Sequence, residues 1–187
     1  MPSRDSFSPA DAKSGQINKL GAVYTVDVAT GTPKVSYNTG TLEEDRSFFS
    51  FDTSSIPDTA LITAVEFYWV INSAVGGGIG VPATWVTRFA IGTFIGAALD
   101  SADWAGGTFV DSYSGTPVTQ WIDMLVGGPS YVNLSGDTDV RVYDTSLMFG
   151  AGAWYHTIKK SNTVLRVTYQ LATIRHCRLF NCKIVNA

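Results

Sequence analysis

At 187 residues, with 45% apolar, 12% aromatic and 16% charged side chains and 18 glycines, the chain has the composition of one packed, turn-rich domain, which excludes a disordered polymer. No apolar run approaches the ~18 residues a membrane-spanning helix needs, because Glu66, Asn72 or Arg88 breaks the longest ones. The net charge of −3 conceals a split: all 16 acidic residues precede Lys159, whereas Lys159, Lys160, Arg166, Arg175, Arg178 and Lys183 follow with no acid among them.

Residues 1–20, rich in Ser, Asp, Lys, Pro and Gly and without period, predict an extended N-terminal arm. They contain no apolar stretch of the secretory-signal type, so folding in the cytosol is the expectation. The first strand pattern is "AVYTVDVAT", followed by a "GTP" turn and "KVSYNTG". In "RSFFSFDTSSIPDTALITAVEFYW", Phe49 and Phe51 share one face with Ser50 and Asp52 opposite, Pro57 interrupts, and Val65, Phe67, Trp69 and Ile71 then line one face. "NSAVGGGIGVPA" predicts a long glycine loop that lacks the lysine and spacing of a phosphate-binding loop. Further strand patterns are "TWVTRFAIGTF", "GTFVDSYS", "VTQWIDML", "TDVRVYDTSLM" and "TVLRVTYQL", and "ALDSADWAG" predicts a single helical turn capped by Asp100. Eight to ten short strands without an amphipathic helix predict an all-β domain over 21–169, a jelly-roll-like antiparallel β-sandwich with extended N- and C-terminal arms.

Catalytic chemistry has little to stand on. His156 and His176 are the only histidines, and neither a metalloprotease helix motif nor a nucleophile elbow is present. Asp100, Asp103 and Asp111, and again Asp137, Asp139 and Asp144, cluster around turns; without an EF-hand spacing they suit turn and cap chemistry better than calcium. No cofactor and no metal is expected. Trp104, Tyr113, Trp121, Trp154 and Tyr155 are the aromatics least easily assigned to a strand face, and they serve either a glycan platform or a buried contact.

Two segments have the composition of contact surfaces. "GAGAWYHTIKK" presents Trp154 and Tyr155 beside Lys159 and Lys160 on a glycine-rich stretch, read as a protein-contact loop. The basic tail 170–187 mixes Leu179, Phe180, Ile184 and Val185 with Arg175, Arg178 and Lys183, an amphipathic pattern suited to adding a strand to a neighbour's sheet edge. Nucleic-acid binding would call for a denser basic patch. Cys177 and Cys182 both lie in this tail and in a reducing compartment are expected as free thiols.

The segment containing Arg46, Phe49, Phe51, Asp52, Ile56, Pro57, Ile62, Val65 and Phe67 resembles the signature of the DNRLRE-like β-sandwich domains, which are related to a carbohydrate-binding module family. "FIGAALDSADWAGGTF", "YVNLSGDTDVRVYD" and "LRVTY" are similar to later segments of that family, so the likeness spans residues 40–169. It implies a jelly-roll-like sandwich of a kind found in wall-anchored modules, sugar-binding modules and bacteriophage virion proteins. With no secretory signal in the sequence, the expectation is a non-enzymatic virion protein that decorates or cements a phage capsid, assembled in the host cytoplasm. Its partners would be the major capsid protein, other virion subunits and its own copies, with a trimer suiting a capsid three-fold axis. The alternative is a carbohydrate-binding adhesin module of a tail fibre or cell surface.

Overall fold

Alternation of Val65, Phe67 and Trp69 with Glu66 and Tyr68 puts three buried side chains on one face of a ten-residue strand, and the same pattern recurs around the molecule. A computed structural model describes residues 2–38, 41–76, 86–114, 116–124, 128–145 and 154–171. The strands are β1 Ser3–Phe7, β2 Gly15–Leu20, β3 Val23–Asp27, β4 Lys34–Asn38, β5 Glu43–Asp52, β6 Ala60–Trp69 and β7 Ile71–Gly76. They continue with β8 Val86–Gly92, β9 Thr108–Ser114, β10 Gln120–Asp123, β11 Asp137–Asp144, β12 Trp154–Ile158 and β13 Val164–Leu171. Every pairing among them is antiparallel.

A four-stranded sheet, ordered β1-β13-β6-β10, faces a nine-stranded sheet that runs β7-β12-β4-β5-β11-β8-β9 and carries the β2–β3 hairpin on β5. The chain passes between sheets at β1–β2, β5–β6, β6–β7, β9–β10, β10–β11 and β12–β13. The result is the all-β, jelly-roll-like antiparallel sandwich that the strand pattern predicts, with the sheets curled toward a half-barrel. Between them lies the main core: Val65, Phe67, Trp69, Leu165 and Val167 from the smaller sheet meet Phe49, Phe51, Phe89, Ile91, Val140 and Val142 from the larger. Each of these large side chains contributes roughly 1.5–3 kcal/mol of burial.

Residues 1–20 are not an arm. β1 pairs with β13 from Ser3↔Tyr169 to Phe7↔Leu165, and β2 pairs with β5 from Gly15↔Phe48 to Leu20↔Glu43. β1 is an edge strand held by backbone pairing and one inward apolar residue, Phe7, so it leaves no hydrophobic period for a sequence reading to find. Likewise, β7 takes the first part of the expected glycine loop, and Gln170 and Leu171 of the expected tail end β13. Residues 77–85 and 172–187 lie outside the described residues.

A second cluster covers the other face of the larger sheet, where Ile17 and Phe48 pack with Ile95, Leu99 and Trp104. The segment carrying the last three holds the 3-10 turn Ser101–Ala105, opened by the expected Asp100 cap and closed into a box by Asp103. Asp139, buried in the sheet, accepts from the amides of Phe94 and Ile95 at 2.8 Å and from Ser50 Oγ at 2.6 Å, which ties this segment down.

Candidate contact surfaces

β5 is the strand from which the outer surface of the larger sheet is organised. Asp45 pairs with both Ser36 and Asn18, and Ser47 with both Val142 and Gln16, so β2 occupies one side of β5 while β4 and β11 follow each other along the opposite side. Glu44 and Arg46 point outward together, with Nε of Arg46 donating to Oε1 of Glu44 at 2.6 Å. The Arg46 guanidinium lies 4.0 Å from the Trp104 ring centroid and 5.1 Å from that of Tyr143. Its Nη1 donates to the Trp104 carbonyl at 2.7 Å, and Arg141 Nη1 donates to the same oxygen at 2.8 Å. Burial, followed by the neighbouring Arg46 charge, pushes the Arg141 guanidinium below its ordinary pKa. Beside this cluster, Tyr37, Glu44, Arg46, Asp144 and Thr145 line a recess of about 220 Å³, and Lys19, Gly21, Tyr37, Leu42 and Glu44 line an adjoining one of about 230 Å³.

The β2–β3 hairpin is the least covered element. Gly21 makes its two-residue turn at φ 59°, a conformation a side chain would oppose. All five residues of β3 are exposed, and among the described residues β3 pairs only with β2. Val23 is 66% exposed, Leu20 53% and, held next to the tip by the Gly21 amide on its carbonyl, Leu42 66%. Tyr24 and Val26 extend this apolar strip along the strand, Tyr24 resting edge-on against Trp104 at 5.5 Å. An exposed apolar edge strand of this kind is what proteins ordinarily avoid unless something pairs with it.

The smaller sheet carries a different outward surface. Trp121, 38% exposed, stacks on Tyr68 across the strands at 4.8 Å, and the Arg166 guanidinium lies 3.7 Å from its ring centroid. Arg166 and Arg4 both engage Glu66, and the Arg166 hydrogen bond above all holds that carboxyl below its usual range.

The residues singled out in the sequence are dispersed by the fold. Trp154 and Tyr155 are not in a loop: they begin β12, paired with Gly76 and Val75 on one side, and Tyr155 with Ser36 of β4 on the other. Tyr155 is half-buried, with Lys34 Nζ 5.1 Å from its ring centre. Lys159 is exposed, whereas Lys160 turns inward and its Nζ donates to the carbonyls of Val28 at 3.0 Å and Ser14 at 3.3 Å. Arg175, Arg178, Phe180 and Lys183, with Cys177 and Cys182, lie outside the described residues. Of the other unassigned aromatics, Trp104 is buried, Tyr113 packs against Trp69, and Trp121 is exposed. The β3 strip escaped the sequence reading although its signal was present, since "VYTV" carries apolar residues on both faces of one strand. Among the described residues no group of three or more His, Cys, Asp or Glu is placed to hold a metal ion. No protein-family model matches the chain, and no curated protein matches it.

Proposed function

We propose that the chain is a non-enzymatic structural subunit of a bacteriophage virion, a decoration or cement protein that stabilises a capsid through contacts between subunits. The observation that supports this reading is the β2–β3 hairpin, an apolar edge presented outward by a sandwich whose own core is already closed. Such an edge recognises a partner by main-chain pairing and by apolar contact on both faces of the strand. Contacts of ~1,200–2,000 Å², multiplied over a symmetric shell, hold subunits together without chemistry. The test is size-exclusion chromatography with light scattering on the full chain mixed with capsids of its source. Stoichiometric co-elution is the expected result, and a chain that passes such particles without binding sinks the reading.

The alternative, a carbohydrate-binding module, is favoured by one observation: Trp121, exposed and stacked on Tyr68 on the outer face of the smaller sheet. Glycan-array binding by the full chain that disappears on Trp121→Ala would make this the better description.

A further inference from the structure

The β3 edge has a suitable occupant within the sequence itself, and we infer that residues 172–187 of one copy add a strand to β3 of the next, joining copies head to tail. The inference rests on the reading of the chain as an assembly subunit and names the contact that builds the assembly.

Three observations converge on it. First, position. β5 runs from Glu43, opposite Leu20 at the hairpin end, to Asp52, from which the Pro57 turn leads into Ala60. Leu171, the last residue of β13, pairs with Ala60, so residue 172 leaves from the Asp52 end while the hairpin tip projects from the Glu43 end. The ten-residue β5 separates these ends by ~33 Å. To dock on the hairpin of the same copy, the segment after Leu171 would have to run back along the whole length of β5, about ten extended residues, before reaching it. A neighbour placed end to end presents its hairpin directly.

Second, charge. Residues 1–171 hold all 16 Asp and Glu against ten of the 13 Lys and Arg, while 172–187 hold Arg175, Arg178 and Lys183 and no acid. Around the hairpin Asp27, Glu43 and Glu44 stand with Lys19 and Arg46, so the basic segment is drawn to the acidic body as a whole rather than to a local patch. Third, pattern. "IRHCRLFNCKIV" places apolar side chains at both odd and even positions, as does β3 with Val23, Tyr24 and Val26, and strand addition on an edge exposed on both faces needs this. The contact is heterologous, one surface meeting a different one, so it propagates into a ring or a lattice rather than closing as a dimer.

The cysteines supply the experiment, because Cys177 and Cys182 are the only two in the chain and both belong to the segment in question. Full-length Tyr24→Cys protein, half of it nitrogen-15 labelled, is mixed, mildly oxidised and digested for mass spectrometry. The expected result is a disulfide joining the β3 peptide to Cys177 or Cys182, with mixed labels showing that it links different chains. In parallel, sedimentation of the otherwise native chain should show association that Val26→Lys weakens at least tenfold while the circular dichroism spectrum is retained. Links confined to one label overturn the head-to-tail inference, as does a wild type that stays monomeric or associates unchanged by Val26→Lys. Copies that link in this way yet ignore capsids would contradict the virion reading and leave this inference standing. Capsid binding without any link would do the reverse.

Discussion

Arg46 and Trp104, 58 positions apart, are joined twice: the guanidinium stacks 4.0 Å from the indole centroid and also donates to the Trp104 carbonyl at 2.7 Å. This pair fastens the 3-10 turn Ser101–Ala105 over β5 and so supports Tyr24, which rests edge-on against the same indole. Arg46→Lys keeps the charge but loses the planar group that can stack and donate at once. It is expected to cost about 1–2 kcal/mol in urea unfolding and to shift tryptophan fluorescence, whereas an unchanged midpoint would show that the stack contributes little.

Lys160 is the buried tie between the start of β13 and the N-terminal region. Its ion pair with Asp11, at 3.4 Å to a carboxylate 93% exposed, contributes little, so its two carbonyl acceptors carry the effect. Lys160→Met removes the donor and leaves the Ser14 and Val28 carbonyls short of a partner, at a cost of about 1–3 kcal/mol. Thermal unfolding should show a lowered Tm, and the same Tm would mean that water replaces the ammonium.

His156 sits in the main core edge-on to Trp69, with burial lowering its pKa from 6.5 to about 3. Between these values the unfolded chain binds a proton that the folded one refuses, so stability from this group is complete above pH ~6.5 and falls as the pH drops, by up to about 1.4 kcal/mol per unit. Burial raises the Asp103 and Asp139 carboxyls, which act in the opposite sense as the pH falls, and the lowered Glu66 loses stability only in its own acidic range. The wild type minus His156→Leu difference removes those carboxyls from the comparison. It should slope between pH 6.5 and 5, and a flat difference would place a stable proton on the buried ring.

Gly15 stands where a side chain cannot. A Cβ there would overlap the Asp27 carbonyl oxygen and come within 2.8 Å of the Val28 Cα, both backbone atoms. Gly15→Ala must therefore push the end of β3 away from β2, at a cost of about 1–3 kcal/mol. Amide exchange should rise across residues 23–27, and an unperturbed hairpin would show that the strands part without cost.

Much of the sandwich can be read from the chain because its central strands alternate cleanly: Phe49 and Phe51, then Val65, Phe67 and Trp69, are buried as their spacing predicts. Phe48, beside Phe49 on the opposite face, requires that both faces of β5 be covered, and the cluster of Ile17, Ile95, Leu99 and Trp104 is that cover. Other features depend on partners remote in sequence. β1 has one inward apolar residue, β12 follows a glycine run that suggested a loop, and Lys160 becomes internal only because Ser14 and Val28 come beside it. In β6, Thr63 is skipped in the pairing with β13, Ala64 facing Thr168 and Ile62 facing Tyr169. That bulge turns Ile62 and Ala60 toward the same core as Val65, against strict alternation. The contact surface was legible only in part, since the stretch around Trp154 and Tyr155 proved to be a paired strand and the exposed edge lies instead at β3.

The measurement that bears most directly on the β3 contact is hydrogen–deuterium exchange of the full chain, dilute and self-associated. Protection concentrated in residues 20–27 on association, lost together with association in Val26→Lys, is the predicted result. Association that leaves those amides as fast as in the dilute chain, or a Val26→Lys protein that associates normally, would contradict it.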